Sequence, residues 1–106
     1  MLKDKQLTMR EPESIPEVAA EIYVSGRVQG VFFRQFTNDV ATHLGLTGYV
    51  QNLFDGRVRV VAEGSQEKMN KLIDKLHSGP SLANVENVNV NWYEPTNEFR
   101  DFKVKH

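Results

Sequence analysis

The segment from Gly26 to Arg34 has the composition of an anion-binding loop. It reads G-R-V-Q-G-V-F-F-R, with a second glycine at Gly30, a second arginine at Arg27 and no acidic residue. Glycines let the backbone approach a ligand closely, and free backbone N–H groups beside a guanidinium form a receptacle for phosphate or carboxylate. These residue types therefore predict a loop that binds a small anion.

The same loop breaks two rules of helix initiation. The first turn of a helix leaves backbone N–H groups unpaired, and Ser, Thr, Asp or Asn usually caps one of them. Residues 27–33 contain none of these types. Arg34 also lies in the first turn of the predicted helix, where a cation opposes the helix dipole by about 0.3–1 kcal/mol. An external anion would explain both features. The alternative is a tight turn, with Arg34 paired to a surface acid.

Asn52 is the second candidate for chemistry. Its neutral carboxamide can accept a hydrogen bond from water and so orient that water beside a bound phosphoryl group. Asn52 also precedes Asp55-Gly56, a pair typical of hairpin turns, so a turn role is the alternative interpretation. The choice between the two depends on whether the fold brings Asn52 close to the loop.

Other groups that catalyse hydrolysis are missing from the sequence near this loop. It has no paired carboxylates, no metal-ligand spacing such as H-E-x-x-H, and no serine with a recognisable base partner. We expect His43 and His77 to be structural and His106 to be mobile. An anion site with a water-orienting amide and no general acid suits a leaving group that departs unaided. A mixed anhydride of phosphate and a carboxylic acid has such a leaving group, and a phosphate monoester does not.

Hydrophobic periodicity predicts the elements that must position these residues. Apolar residues alternate in the predicted strands and recur at helical spacing in the predicted helices. Gly45 and Gly79 mark helix ends, and Ser65 is an N-cap candidate. The predicted strands cover 20–25, 47–53, 57–63 and 88–92, the helices cover 33–44 and 66–78, and a segment at 99–104 pairs back as a hairpin.

This order, β-α-β-β-α-β with an extra C-terminal strand, predicts an α+β ferredoxin-like fold with two helices on one face of an antiparallel sheet. In that topology the first and second strands run parallel with another strand between them. Their C-terminal ends then lie at one edge of the sheet. The loop after Ser25 and the side chain of Asn52 are therefore expected to lie close together.

Length and composition limit the classes of function. The chain has 106 residues, no cysteine and a formal net charge of −1. We expect a flexible tail over 1–18 and one domain over 19–106. Without cysteine there is no disulfide or thiolate metal site, which favours a cytoplasmic setting. Without an apolar run of about 18–20 residues, or a basic excess, we expect no membrane partner and no nucleic acid partner, and we expect a monomer.

Two segments resemble the signatures of the acylphosphatase family. The first signature is an aliphatic residue followed by x-G-x-V-Q-G-V-x-[FM]-R, and Val24–Arg34 fits it throughout. The second is G-[FYW]-[AVC]-[KRQAM]-N-x3-G-x-V-x5-G. Its matching positions here are Gly48, Tyr49, Val50, Gln51, Asn52, Gly56, Val58 and Gly64. One departure is Phe54, where many members have proline. The resemblance covers about residues 19–104.

The resemblance implies a hydrolase that converts acyl phosphates to carboxylate and inorganic phosphate with no metal and no cofactor. It implies that Arg34 and the backbone of the loop hold the phosphoryl oxygens and that Asn52 orients the attacking water. Arg27 is assigned at most an auxiliary electrostatic role. The implied substrate-binding residues are Gly26, Arg27, Val28, Gln29, Gly30, Val31 and Phe32.

Two other functions would suit a similar sequence. A ferredoxin-like module that binds RNA needs aromatic residues on the exposed face of its central strands and a basic surface. Residues 57–61 contain no aromatic residue and the net charge is −1, which disfavours this function. A domain that binds phosphate but has lost turnover is the other alternative. The presence of both Arg34 and Asn52 favours an active enzyme.

Overall fold

The structure is a computed structural model that describes residues 15–106. Most of the predicted tail lies outside these residues, although Val18, its last residue, begins the first strand. The elements are β1 (Val18–Arg27), α1 (Phe33–His43), β2 (Thr47–Asn52), β3 (Val58–Gly64), α2 (Gln66–Ser78), β4 (Asn84–Tyr93) and β5 (Phe102–Lys105). The predicted strands and helices are all present, with bounds that differ by a few residues.

The five strands form one sheet in the order β4-β1-β3-β2-β5. β3 is antiparallel to both β1 and β2, so β1 and β2 run parallel on either side of it. The predicted ferredoxin-like α+β fold is confirmed. Apolar residues that alternate along the central strands, including Ile22 and Val60, form the core together with Phe33 and Leu72 of the two helices.

The predicted hairpin between the last two strands is wrong. β4 pairs with β1 at one edge of the sheet, whereas β5 pairs in parallel with β2 at the opposite edge. The sheet is therefore mixed. Phe102 is buried at this edge as part of the core, and Val104 packs against that core. Burial of these two side chains is the physical reason for the crossing of residues 94–101 to the other edge.

A buried carboxylate holds that crossing in place. Glu63 is only 1% exposed. Its oxygens accept hydrogen bonds from the Thr96 amide at 3.0 and 3.1 Å, the Thr96 hydroxyl at 2.8 Å and the Asn97 amide at 2.9 Å. Asn97 has a positive φ of 59°, a conformation that asparagine tolerates better than most residues. Glu63 thus fixes the path by which the chain reaches β5.

We predict that Glu63→Ala lowers the free energy of unfolding by about 2–3 kcal/mol, because hydrogen bonds to a charged group are stronger than neutral ones. Urea denaturation measures the change. The matched control is Glu67→Ala, since Glu67 is 72% exposed and its pair with Lys71 spans 3.6 Å at the surface. Because Glu67 also lies in the first turn of α2, where an acid favours the helix dipole, that control should lower stability by less than about 1 kcal/mol. Equal losses in the two variants would contradict the assigned role of Glu63.

The face of the sheet opposite the helices carries aromatic rings that come from strands other than residues 57–61. Tyr23 comes from β1 and Tyr49 from β2, and each has a cation of the same chain over its ring. The Arg57 guanidinium carbon lies 4.6 Å from the centroid of Tyr23, and the Lys105 ammonium lies 4.1 Å from that of Tyr49. Because a cation already covers each of these two rings, neither is a free stacking platform of the kind that an RNA-binding sheet offers. No helix within residues 15–106 is long and apolar enough to cross a membrane.

Candidate active site

Three parts of the chain meet in one cavity at the edge of the sheet where β1 and β2 end. They are the loop before α1 with the first turn of that helix, the end of β2, and the end of β5. The cavity has a volume of about 390 Å³, which is within the usual size range of sites for small ligands. It is lined by Val28, Gly30, Phe32, Phe33, Arg34, Gln35, Asn52, Val104 and His106.

The start of α1 opens into this cavity without a side-chain cap. The N-cap residue is Phe32, whose side chain makes no capping hydrogen bond. Its backbone has a left-handed conformation with φ 63° and ψ 26°. The first turn contains no acidic residue. Both features agree with the prediction from the sequence. The amide groups and positive dipole end of this helix are therefore available to an anion.

Two glycines shape the loop for different reasons. Gly30 has φ 74°, and a Cβ there would meet nothing within 4 Å, so its backbone conformation alone favours glycine. Gly26 has φ 119°, and a Cβ there would lie 2.3 Å from the carbonyl oxygen of Asn84. Close contact with β4 therefore requires glycine at position 26. Gly26 therefore lets the loop pass close to β4, and it does not line the cavity.

Gln29 connects the loop to the hairpin between β2 and β3. Its Nε2 donates to the carbonyl oxygens of Leu53 at 2.8 Å and Arg57 at 2.9 Å. The side chain therefore holds the loop against the segment that carries Asn52. The structure also places the side chain of Val31 in the core and exposes that of Arg27 at the end of β1. None of these three residues lines the cavity.

Arg34 is the one permanently charged side chain among the described residues that line the cavity. Within residues 15–106 no acidic side chain forms an ion pair with it. Its Nη1 lies 3.4 Å from Nδ1 of His106, at the long end of the range for a hydrogen bond. The alternative in which Arg34 pairs with a surface acid is therefore not observed in the described part of the chain.

The carbonyl oxygen of the Asn52 side chain is buried and has no hydrogen-bond partner. An unpaired buried polar atom is rare and calls for an explanation. The turn that follows does not use it. That turn is closed by hydrogen bonds from the Leu53 amide to the Arg57 carbonyl at 2.8 Å and from the Gly56 amide to the Leu53 carbonyl at 3.1 Å. A hydrogen bond from the Arg57 side chain also lowers the pKa of Asp55. The structure thus gives no support to a turn role for the Asn52 side chain.

Sequence reasoning missed four of the residues that line the cavity, namely Phe33, Gln35, Val104 and His106. Of these, His106 is the one with an ionisable side chain. It was expected to be mobile, but β5 lies beside β2 and runs parallel to it, so the chain after β5 arrives at the edge where Asn52 lies. Periodicity cannot reveal this, because the partner of an edge strand is set by long-range packing. His43 and His77 are exposed in the last turns of α1 and α2 and do not line the cavity.

The family model described as acylphosphatase matches residues 20–104 of the chain. The chain belongs to the acylphosphatase family. An acylphosphatase of Methanococcoides burtonii is 58% identical over 86 residues, which cover 81% of this chain and 90% of that relative. Two acylphosphatase structures have the same fold. The one from Bacillus subtilis has a TM-score of 0.82 at 30% identity, covering 84% of this chain and 99% of its own. The one from Coxiella burnetii has a TM-score of 0.80 at 40% identity, covering 85% of this chain and 94% of its own.

Membership in the acylphosphatase family confirms the resemblance read from the two signatures. It also makes this chain a member of a family of hydrolases. Arg34 and Asn52, which come from the two signatures, line one cavity although most of α1 and most of β2 lie between them in the chain. The uncapped helix start and the Arg34 guanidinium together can hold a phosphate group.

Proposed function

We propose that this protein hydrolyses acyl phosphates to a carboxylate and inorganic phosphate, without a metal or cofactor. Family membership supports the reaction class. The observation that carries the mechanism is that Asn52, whose buried side-chain oxygen has no hydrogen-bond partner, lines the same cavity as Arg34 at the uncapped start of α1. An oxygen that lacks a partner is suited to accept a hydrogen bond from a nucleophilic water.

In this mechanism the phosphoryl oxygens bind to the Arg34 guanidinium and to backbone N–H groups of the 26–32 loop. The guanidinium can donate two parallel hydrogen bonds to one phosphoryl group, and the dipole of α1 adds positive potential at the same point. These donors are held in place before substrate arrives, because Gln29 fixes the loop to the hairpin. Preorganised donors stabilise the charge that develops on the phosphoryl oxygens.

The water held by Asn52 attacks phosphorus in line with the bond to the acyl oxygen. As the new P–O bond forms, the bond to the acyl oxygen breaks and its electron pair leaves with the carboxylate. A carboxylate is stable at neutral pH, so no general acid is needed to protonate it. The water's protons pass to the phosphate product and to solvent. Catalysis then rests on position and fixed charge, as in other phosphoryl transfers.

A domain that binds phosphate without turnover would use the same cavity. The favoured function is hydrolysis, because a binding site for phosphate alone has no need of an unpaired acceptor beside the donors. A phosphate anion at neutral pH mainly requires donors. The Asn52 oxygen is an acceptor and suits water or a protonated oxygen.

The test is an assay of the purified protein with benzoyl phosphate beside p-nitrophenyl phosphate. We expect rapid release of phosphate from the first and none above background from the second, because only the mixed anhydride has a leaving group that departs unaided. Inorganic phosphate should inhibit competitively, and EDTA should leave the rate unchanged. If the protein binds inorganic phosphate and benzoyl phosphate at one site but hydrolyses neither substrate, the binding-only alternative would be favoured. Loss of activity in EDTA would contradict the metal-free mechanism.

A further inference from the structure

His106 and Gln35 are polar residues of the cavity to which the proposed reaction assigns no role, and His106 is the one that can change its charge. Val104 of β5 and His106, the residue after β5, line the cavity, whereas Lys105 between them lies over the ring of Tyr49. The ring of His106 is therefore brought to the cavity by the strand itself. Its nearest polar contact there is Arg34, at 3.4 Å.

This contact depends on the charge of the histidine. A guanidinium offers N–H donors and no acceptor, so Nδ1 of His106 can contribute only as the acceptor, which requires a neutral ring. Protonation turns Nδ1 into a donor and places a second cation beside Arg34. The two states thus differ both in how they hold the guanidinium and in the positive charge of the cavity.

The surroundings of His106 contain few other charges. From α1 the cavity receives Arg34 and the neutral amide of Gln35, and from β2 it receives the neutral amide of Asn52. Asp39, one turn further along α1, accepts a hydrogen bond of 2.8 Å from Gln35 and does not line the cavity. Within residues 15–106, no aspartate or glutamate lines the cavity, so the one carboxylate close to the ring is the main-chain carboxylate of His106 itself, which forms no ion pair with Arg34.

We propose that His106 is a positioning residue that couples anion binding at this site to the uptake of a proton. The neutral ring holds the Arg34 guanidinium at the cavity wall. The protonated ring releases it and adds a positive charge to the site. This inference rests on the proposed function in one respect, because the anion is taken to be the phosphoryl group of the substrate.

The coupling is reciprocal: a bound anion favours the protonated ring, and the protonated ring favours the anion. Histidine is the side chain that most often changes charge between about pH 5 and 8. One added charge within a few ångströms, in an exposed site, should tighten binding of a divalent anion about five- to tenfold. Affinity should therefore rise as the pH falls through this range.

Isothermal titration with sulfate tests the coupling, because sulfate keeps its charge between about pH 5.5 and 7.5 whereas inorganic phosphate does not. Titrations in two buffers of different ionisation enthalpy count the protons taken up. We expect the unmodified protein to bind sulfate about five- to tenfold more tightly at the lower pH, with proton uptake. His106→Asn retains an acceptor near the position of Nδ1 but cannot titrate, so it should lose both effects.

His43→Gln is the matched control, because His43 is an exposed histidine on α1 outside the cavity, and this variant should keep the full pH dependence. His106→Lys carries a permanent charge and should bind sulfate at the higher pH about as tightly as the unmodified protein does at the lower pH. An unchanged pH ratio in His106→Asn would overturn the inference.

Hydrolysis of acetyl phosphate by the unmodified protein is measured separately. If the protein hydrolyses acetyl phosphate but the pH dependence of its sulfate binding is the same without His106, only this inference is contradicted. A protein without turnover whose sulfate binding still depends on His106 would defeat the proposed function alone.

Discussion

Replacement of Arg34 by alanine should lower kcat/KM for benzoyl phosphate by at least about 10²–10³-fold, the usual effect of removing one preorganised stabiliser of the transition state. Arg34 is the one permanently charged side chain that lines the described cavity, and no other lining residue offers the paired donors of a guanidinium. Arg34→Lys should recover part of the loss, because it restores the charge without the paired donors of the guanidinium.

The matched control is Arg27→Ala. Arg27 is an arginine of the same loop, but it is exposed at the end of β1 and does not line the cavity. Its removal should change kcat/KM by only a few-fold. If the two alanine variants have equal activity, the site assigned to Arg34 is wrong.

The stability of the Arg34→Ala variant should change in the opposite direction to its activity. A cation in the first turn of a helix opposes the dipole, so its removal should raise the free energy of unfolding by about 0.3–1 kcal/mol. Urea denaturation of this variant beside the unmodified protein measures the change. A stable protein without activity would separate a role in the reaction from a role in folding.

Replacement of Asn52 by alanine should lower kcat by about 10²–10³-fold and leave inhibition by inorganic phosphate nearly unchanged. Asn52 is proposed to hold the water and not the phosphoryl group, so its loss should affect the chemical step more than binding. Asn52→Asp retains the shape but adds a negative charge near the phosphoryl site. This variant should lose activity and also bind phosphate more weakly.

Asn38 provides a control with the same unusual feature. Its side-chain oxygen is also buried without a partner, but Asn38 lies on α1 and does not line the cavity. Asn38→Ala should therefore keep its activity.

A rise in KM with unchanged kcat in Asn52→Ala would assign Asn52 to substrate binding and not to the attacking water. Unchanged values of both parameters would remove it from the mechanism.

Features set by a few neighbouring residues could be predicted from the sequence. The absence of a capping residue over 27–33 and the Asp55-Gly56 turn are visible in a few neighbouring residues, and both have their expected counterparts in the structure. The predicted closeness of the loop and Asn52 also holds, because it follows from the order of the elements.

Features that depend on distant partners were not predictable in the same way. Alternation indicates that residues 102–105 can form a strand, but it does not say which edge of the sheet receives them or in which direction. The position of His106 follows from that choice of edge, so it was missed as well. Gln29 was assigned to the anion by its place in the loop, whereas its partners are two carbonyl groups of the hairpin. The unpaired oxygen of Asn52 is a property of packing that no spacing of residues can reveal.

The crossing of the chain to β5 also determines the order in which the site can be completed during folding. The loop and Asn52 come from the first half of the described chain, but Val104 and His106 reach them only after a closure of about 50 residues beyond Asn52. A folding intermediate with β1, α1, β2 and β3 in place would have the uncapped helix start but not the finished cavity wall. The cavity wall that Val104 and His106 provide is thus complete only when β5 pairs with β2.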